Sequence, residues 1–406
     1  MATSYLTPGV YVEEVSAGPR PIEAVSTSTP VFIGTGGRPE APRGVPTAVN
    51  NWTEYANVFL GPGPMTALSH AVNGFFLNTR GRCYVLDIGP DGTLAGTAAS
   101  PGLSVLEAIE DIAIVAAPGY SAPADYQALI AHCETTRDRV AILDTARGIT
   151  DPMLLTKVGT VEPAGEAAPA AEGEPPKPPR RQPETGARPP ASAYAAAYWP
   201  WVLVTDLVTG ETVPAPPSGH MAGVWARTDA LRGVHKAPAN EPLRGIIGLE
   251  RRVSPAEQGQ LNQAGINVIR LFDRSGVLPW GARTLSSDPE WRYLNVRRLF
   301  CMVEESIARG TQWIVFEPND RPLWNMIKRD LFAFLTGLWR DGALMGRTPA
   351  EAFFVKCDEE TNPADVVDAG RVVALVGLAP VKPAEFIVFQ VSQFSGGTNT
   401  EELTNG

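Results

Sequence analysis

The stretch DIAIVAAPGYSAPADYQALIAHCETTRDRVAILDT (111–145) carries the pattern that decides the fold. An apolar run opens it at 111–118, a helical pattern follows from about Pro123 to Arg137, and a second apolar run closes it at 140–145. Two strands joined through a helix at this spacing pair in parallel within one sheet. The sequence therefore predicts an α/β fold.

The same alternation extends in both directions from this unit. Upstream lie PVFIGTG (30–36), a helix at about 65–79, and CYVLDIG (83–89). Downstream lie WVLVTDL (201–207), a helix at about 220–230, a helix opened by an N-cap serine and a proline at Ser254-Pro255, and GINVIRLF (265–272). We expect all of these segments to belong to one α/β layer.

Composition limits the possible classes of function. The chain has 406 residues, a formal net charge of −10, 44% hydrophobic residues and 19% charged residues, which is enough apolar material for two or three packed domains. The 39 Gly and 38 Pro indicate many turns and exclude a long helical rod. Because binding phosphates needs a basic surface, direct binding of nucleic acid is not expected.

Neither the cysteines nor the N-terminal sequence predicts a secreted protein or a protein stabilised by a bound metal ion. Cys83, Cys133, Cys301 and Cys357 lie far apart and form no C-x-x-C pair, so we expect buried, reduced thiols. The start MATSYLTPGVYVEE lacks the basic and apolar segments of a signal peptide. No apolar run reaches the ~18 residues of a membrane span, so synthesis in the cytoplasm without membrane insertion is predicted.

A proline-rich insertion at 162–190 interrupts the α/β pattern. It holds nine prolines and no aliphatic residue larger than alanine between 163 and 190. Such a segment cannot bury enough apolar surface to offset the entropy of ordering it. We expect an exposed, disordered loop.

The pattern changes after residue 285 and predicts a separate α+β domain. We expect a helix from Asp288 to Gly310, with Tyr293, Val296, Phe300, Val303 and Ile307 on its apolar face. A second helix is expected at about 321–341, with an apolar stripe of Trp324, Ile327, Leu331, Phe334 and Leu338. The predicted strands are WIVFEP (313–318), FFVKCD (353–358), VVALVGL (372–378) and EFIVFQVSQF (385–394).

Both ends of the chain share one design, a proline-containing linker followed or preceded by a terminal β segment. The segments are GVYVEEV (9–15) and residues 385–394. A strand at a chain end can add to a sheet edge of another subunit, and pairing within its own chain is the open alternative. The candidate residues for inter-subunit strand exchange are Val10, Tyr11, Val12, Phe386, Ile387, Val388, Phe389 and Val391.

Several sequence patterns suggest a catalytic, cofactor or metal site, but each of them is incomplete. Asp144 ends a strand and His220 opens a helix, as the Asp and His of a subtilisin-like triad do, but Ser218 is too close in sequence to His220 and no other nucleophile motif follows. GTGGRP (34–39) has proline in place of the third glycine of a dinucleotide loop. The four histidines share no metal spacing. We therefore expect no enzyme, cofactor or metal site, with a subtilisin-like serine hydrolase or an α/β binding module as the competing hypotheses.

Several segments together resemble the contractile tail sheath family of myophages, R-type bacteriocins and extracellular contractile injection systems. They are LTPGVYVEEV (6–15), YWPW (198–201), PPSGHMAGVWARTDALRGVHKAPAN (216–240), LNQAGINVIR (261–270), WGARTLSSDPEWRYLNVRRL (280–299), WIVFEPND (313–320) and VGLAPVKPAEFIVFQVSQ (376–393). The resemblance is weak over 31–190, where only the α/β alternation supports it.

The resemblance implies a non-catalytic, subtilisin-like α/β domain at 23–284 and a C-terminal α+β domain at 285–380. An N-terminal arm (1–22) and a C-terminal arm (381–406) would add strands to neighbouring subunits. It further implies a homo-oligomer of stacked hexameric rings or a six-start helix around an inner tube protein, with baseplate and terminal cap proteins as further partners. Assembly would occur in the bacterial cytoplasm, and the product would be part of a phage tail or phage tail-like particle.

The resemblance also implies that the helix at about 321–341 faces the tube. Lys328 and Arg329 on this helix could meet an acidic tube surface. A solvated face on a core helix is the alternative.

Overall fold

The computed structural model describes residues 21–97, 102–159 and 186–388. The strands in these ranges are β1 Pro30–Gly34, β2 Thr47–Val49, β3 Cys83–Asp87, β4 Ile114–Ala116, β5 Val140–Asp144, β6 Ala195–Trp199, β7 Val202–Thr205, β8 Thr212–Ala215, β9 Gly248–Leu249, β10 Ile266–Phe272, β11 Gly276–Pro279, β12 Phe353–Lys356 and β13 Leu375–Leu378. The α-helices are α1 Trp52–Phe59, α2 Ala67–Asn78, α3 Pro123–Thr136, α4 Ser218–Arg232, α5 Pro255–Gln263, α6 Leu294–Gly310, α7 Arg321–Arg340, α8 Pro349–Ala352 and α9 Ala364–Asp368.

An eight-stranded sheet organises residues 30–279, which we call the α/β body. Its strand order is β11-β10-β6-β5-β4-β1-β3-β2. The six central strands run parallel, and β2 and β11 pair antiparallel at the two edges. This doubly wound arrangement confirms the α/β prediction.

Helices cover both faces of this sheet. One buried cluster contains side chains of α1, α2 and α4, and the other contains side chains of α3 and α5. Every residue of β1, β5 and β6 is buried, as expected for parallel strands packed on both sides. The predicted start of α5 is confirmed, because Ser254 and Glu257 form a reciprocal capping box.

The segment 201–207 forms a strand but does not join the main layer, so that part of the prediction was wrong. β7 pairs antiparallel with β8 and β9 in a small separate sheet. The neighbouring place in the main sheet belongs to β6, which the sequence analysis missed. Because β6 reads AAAYW, and alanine has a weak preference for strands, its pattern gave little signal.

The C-terminal region, residues 286–388 of the described chain, packs around a third apolar cluster. The predicted α7 stripe is confirmed, since Trp324, Ile327, Leu331, Phe334 and Leu338 are all buried. β12 and β13 form an antiparallel pair. The four cysteines are buried free thiols, as expected.

Two predictions in this region were wrong. The helix begins at Leu294 rather than Asp288, because a turn at Asp288–Trp291 and a bridge between Arg283 and Tyr293 hold the preceding chain. The predicted strand 313–318 is instead a single 3₁₀ turn followed by a bend. Short apolar runs do not by themselves distinguish a strand from a tight turn.

The proline-rich insertion is shorter than predicted at its C-terminal end. Residues 186–190 are described and bound to the body: Arg188 donates from its guanidinium to the carbonyls of Ala264 at 2.6 Å and Leu285 at 3.2 Å. These two acceptors are far away in sequence, so nothing local predicted the contact. The prediction for 162–185 lies outside the described residues.

Candidate assembly interface

Helix α6 separates the places where the two ends of the described chain leave the fold. It has 17 residues, which corresponds to a length of about 25 Å. Its buried face packs in the third apolar cluster through Leu299, Met302 and Val303. The two chain ends are bound at opposite ends of this helix.

The N-terminal end of the described chain lies against the C-terminal end of α6. Ile22 is buried beside Gly310, so closely that a Cβ on this glycine would lie 2.8 Å from the Ile22 side chain. The backbone N–H of Val25 donates to the Ser306 hydroxyl at 3.0 Å. The segment 22–27 therefore runs along α6 against its direction.

A buried ion pair holds this segment at its other end. The Arg298 guanidinium makes two hydrogen bonds to the Asp229 carboxylate, at 3.0 and 2.5 Å, and a third to the Thr27 carbonyl at 3.0 Å. The Thr27 hydroxyl donates to the same carboxylate at 2.6 Å. The Arg298 and Asp229 side chains are only 3% and 5% exposed. Solvent and salt therefore weaken the attraction between the two charges much less than they would at the surface. This contact joins α4, α6 and the chain that leads into β1.

The C-terminal end of the described chain is bound at the opposite end of α6. The Asn295 amide donates to the carbonyls of His235 at 2.8 Å and Val381 at 3.0 Å. Val381 also donates its backbone N–H to Ala343. The polypeptide is thus fixed where it leaves the C-terminal region.

Four residues further on, a second ion pair fixes the chain again. Arg283 donates from Nε and Nη2 to the two oxygens of Glu385, at 2.7 and 2.5 Å. The hydrogen bonds to Glu385 raise the pKa of the Arg283 guanidinium. The paired geometry fixes direction as well as position.

Three of the predicted strand-exchange residues follow immediately after this anchor. Phe386, Ile387 and Val388 are 75%, 72% and 82% exposed, and residues 385–388 form no strand with the described chain. The remaining candidates Val10, Tyr11, Val12, Phe389 and Val391 lie outside the described residues. A prediction of pairing between subunits therefore remains for all eight.

The sheet of the C-terminal region leaves an edge open among the described residues. The backbone N–H of Ala379 donates to the Ala352 carbonyl. This hydrogen bond identifies the backbone groups of β13 that point towards β12. By the alternation of an antiparallel pair, Val376 and Leu378 then direct their backbone N–H and C=O groups away from β12. Two-stranded sheets are marginally stable in water, so additional strands would stabilise this one.

The tube-facing candidates lie on the outer face of α7. Lys328 and Arg329 are both exposed. Arg329 is paired with the neighbouring Asp330 at 2.9 Å, whereas Lys328 has no hydrogen bond or ion pair within the described ranges. Of these two cations, Lys328 is therefore the one that is available to bind an acidic group of a partner.

The suggested triad residues do not form a catalytic arrangement. The Asp144 carboxylate accepts hydrogen bonds from the Ser218 N–H at 2.8 Å, the Ser218 hydroxyl at 2.6 Å and the Gly119 N–H at 3.1 Å. Burial raises the pKa of Asp144 to about 6. The carboxylate thus anchors the start of α4 rather than orienting a histidine.

His220 has neither of the contacts that a general base needs. Both ring nitrogens are buried without a hydrogen-bond partner in the described chain, and the ring lies against Gly74 of α2. Burial lowers the pKa of this histidine to about 4. The geometry gives the hydrolase hypothesis no support.

The described residues present neither a metal centre nor a membrane-spanning helix. Within 21–97, 102–159 and 186–388, no group of three His, Cys, Asp or Glu side chains is placed to bind a metal ion. No helix in the described part of the chain combines the length and apolar character of a bilayer span.

The anchoring residues are the feature that sequence analysis missed. The basic pair Arg297-Arg298 inside an apolar helix was a visible signal, since such cations need partners when buried. Its acidic partner Asp229 lies 69 positions away, and Glu385 lies 102 positions from Arg283. No local pattern links residues so far apart.

Family comparisons agree with this architecture. The family model of the phage tail sheath protein central domain matches residues 180–285, and that of the phage tail sheath C-terminal domain matches residues 286–394. A putative prophage major tail sheath protein of Pseudomonas aeruginosa (strain UCBPP-PA14) is 30% identical over 196 residues, which is 47% of this chain and 49% of that relative. The chain thus aligns with about half the length of this curated relative.

Solved structures match over nearly the whole chain. The sheath of an extracellular contractile injection system, the PVC sheath complex in its contracted state, is 30% identical with a TM-score of 0.76, covering 97% of this chain and 99% of that one. The helical sheath of the anti-feeding prophage (AFP) in its contracted state is 32% identical with a TM-score of 0.74, covering 96% and 100%. The chain belongs to the contractile tail sheath family. Because this family consists of structural subunits, the prediction that the chain is not an enzyme is confirmed.

Proposed function

We propose that this chain polymerises helically around an inner tube and that the resulting sheath contracts to drive the tube through a target cell envelope. Membership of the sheath family supports the assembly, and the likeness to two sheaths in a contracted state supports the contraction. The chain would assemble in the bacterial cytoplasm as stacked hexameric rings or a six-start helix, with a baseplate and a terminal cap as its end partners.

One observation carries the proposal: among the described residues, the same chain combines an exposed apolar terminal segment that pairs with no strand and a sheet with an open edge. Phe386, Ile387 and Val388 are exposed directly after the Arg283–Glu385 anchor. Backbone groups on one edge of β13 have no strand partner in the part of the chain that the structure describes. Strand addition between subunits satisfies both. A six-residue strand spans about 20 Å, and each hydrogen bond adds roughly 1 kcal/mol net, so repetition along a sheath makes a mesh that is hard to break.

The anchors suggest how such a mesh survives contraction. Each subunit would move as a rigid body, while the segments beyond residues 22 and 385 act as linkers to its neighbours. The extended sheath would be a kinetically trapped state, and contraction would bring the same subunits into tighter packing without hydrolysis of a nucleotide.

The body provides the frame for these contacts. Its parallel sheet with Asp144 at a strand end and His220 in the first turn of α4 supports the proposed likeness to a subtilisin-like domain without catalysis. The exposed face of α7 with Lys328 is the proposed contact to the tube. The proposed arms are residues 1–22 and 381–406, on either side of domains at 23–284 and 285–380.

Electron microscopy of the purified full chain tests this function. We expect helical tubes from the wild type and soluble, folded protein without tubes from a deletion of residues 1–15 or from Val388→Pro, because proline removes a backbone donor from the strand. Val388→Thr is the matched control, since threonine keeps the N–H and the preference for strands.

Two results would count against strand exchange. One is normal contractile sheath from the truncated chain. The other is an equal loss of tubes in Val388→Thr and Val388→Pro, because the side chain rather than the backbone would then be responsible.

A further inference from the structure

The bend between α6 and α7 presents an aromatic side chain in an unfavourable conformation. Phe316 has φ of 72° and is fully exposed, at 102%. Left-handed backbone at a bulky residue costs free energy and persists where surrounding contacts compensate for it. Hydrogen bonds of the turn hold this backbone, from the Val315 N–H to the Gln312 carbonyl at 3.3 Å and from the Glu317 N–H to the Ile314 carbonyl at 3.0 Å. The ring itself packs against nothing within the described residues, so its apolar surface is available to a partner.

The neighbours of Phe316 define the chemistry of this loop. Val315 is also exposed, at 63%, and Glu317 is exposed with no ion pair in the described part of the chain. The loop therefore presents an apolar tip with one unpaired carboxylate. A matching surface would be an apolar recess with a cation at its rim.

A crevice of about 600 Å³ on the same molecule has these properties. It is lined by the apolar residues Trp280, Ala282 and Pro383 and by the cations Arg232 and Lys236. Phe386 and Ile387 of the terminal segment lie along the same crevice. A cavity of about 150 Å³ already holds a benzene ring, so the crevice has room for a phenylalanine with part of its loop. Trp280 offers an aromatic surface for the ring to pack against.

The charges at the crevice are also complementary to the loop. Arg232 is exposed and makes no hydrogen bond or ion pair with the described chain. Among the described residues, Lys236 donates to the carbonyls of Ala237 at 2.7 Å and Ala239 at 3.4 Å. The carboxylate within the crevice, Glu385, is already paired with Arg283. Lys236 also lies near the carboxylate of Glu241, so Arg232 is the cation at the crevice that lacks an acidic partner within the described residues.

The loop cannot reach the crevice of its own chain. Tyr293, which caps the start of α6, lines the crevice, whereas the loop follows the other end of this helix. The two features lie about 25 Å apart along α6. A contact between them must join two copies head to tail, and such contacts propagate into rings or helices.

We infer that the Phe316 loop of one subunit docks into the crevice of a second copy, with Phe316 against Trp280 and Glu317 facing Arg232. This contact rests on the proposed function and adds to it a second point of attachment besides strand exchange. It also gives the contact a direction, because the end of α6 near Ile22 meets the end near Glu385 of the next copy.

The key experiment replaces Phe316 by glycine in the full chain. Because glycine adopts positive φ without strain, Phe316→Gly is expected to raise the melting temperature of the monomer. The same variant is expected to raise the concentration needed for tube formation by about tenfold or more, as loss of a buried aromatic anchor does. If Phe316 had a purely structural role, the variant would instead lower the melting temperature while it weakened assembly. Leu207→Ala, an exposed side chain at the β7–β8 turn, is the control and should change neither.

A charge exchange tests the proposed partner directly. Glu317→Arg and Arg232→Glu should each weaken assembly, and the double variant should recover most of the loss. Normal tubes from Phe316→Gly, or no recovery in the double variant, would overturn the docking. A variant that still assembles normal sheath but no longer binds the inner tube protein would also overturn the docking. The loop would then contact the inner tube instead of a second copy of this chain.

Disulfide cross-linking separates this inference from the proposed function. Chains carrying Glu317→Cys are mixed with chains carrying Arg232→Cys, and a covalent dimer is expected after mild oxidation, since the native cysteines are all buried. If the wild type forms no tubes, the proposed function fails, while a cross-linked dimer would still support the head-to-tail contact. Absence of the dimer at concentrations where wild-type tubes form rules out the contact alone.

Discussion

The α/β body and the C-terminal region differ in how completely their β-sheets are covered by other elements. In the body, helices cover both faces of eight strands, and β1, β5 and β6 are buried along their whole length. In the C-terminal region, β12 and β13 stand as a pair with Phe354 and Leu375 half exposed. The body completes its own packing, whereas the C-terminal region leaves surfaces that another subunit can complete.

The two regions also differ in how they are held together. The body relies on apolar burial on both faces of its sheet. The joint to the C-terminal region and to both chain ends relies on the pairs Arg298–Asp229 and Arg283–Glu385. Ion pairs with hydrogen bonds fix direction more tightly than apolar contact does, which suits places where a linker must leave at a defined angle.

The largest effect on subunit stability is expected at the joint. Arg298→Ala leaves the Asp229 carboxylate buried without its partner, and loss of one member of a buried pair costs about 3–5 kcal/mol. We expect this decrease in the free energy of unfolding by denaturant titration. The double variant Arg298→Ala/Asp229→Ala should recover part of it. If Arg298→Ala unfolds no more easily than the wild type, the joint does not depend on this pair.

A smaller effect, dependent on pH, is expected inside the body at His220. Its pKa of about 4 in the folded chain lies below the ordinary value, so the neutral form is the one that the fold accommodates. Its contribution to stability is present above pH 6.5 and is lost as pH falls towards 4. At pH 5 the loss relative to pH 7.5 amounts to about 2 kcal/mol.

Thermal unfolding of His220→Leu at both pH values measures this contribution. The variant should lose less stability on acidification than the wild type, since leucine cannot take up a proton. Asp144 provides an internal reference, because its raised pKa of about 6 gives the opposite trend, with stability lost as pH rises through 6, in both proteins. Equal acid sensitivity of the two proteins would show that His220 is not the group that titrates.

The smallest effect on stability, with a specific effect on assembly, is expected on the outer face of α7. Reversing Lys328 and Arg329 to Glu should uncouple sheath from tube. Lys328→Glu alone is the cleaner variant, since Arg329 is paired with Asp330, and it should change the unfolding free energy by no more than about 0.5 kcal/mol. Arg274→Glu, in the β10–β11 turn, is the control. Co-sedimentation with tube protein measures the coupling, and unchanged binding by Lys328→Glu would argue against α7 as the contact.

The sequence by itself determined the elements whose pattern is local. The βαβ unit at 111–145, the capping box of α5 and the apolar stripe of α7 follow from periodicity and cap chemistry, which operate over a few residues. The proline-containing linkers, one after the N-terminal β segment and one before the C-terminal β segment, were visible for the same reason. The family resemblance rested on ordered motifs in the N-terminal arm and the second half of the chain.

Only the tertiary structure decided which distant residues meet. Arg298 finds Asp229, and Arg283 finds Glu385, because α6 and the sheet bring together chain segments 69 and 102 positions apart. The run at 313–318 was apolar enough for a strand, yet it bends because neighbouring α6 and α7 need a tight connection, and Phe316 takes up the positive φ. Packing selects such contacts from many that a local pattern allows, since the free energy of each depends on burial that exists only once the whole chain has folded.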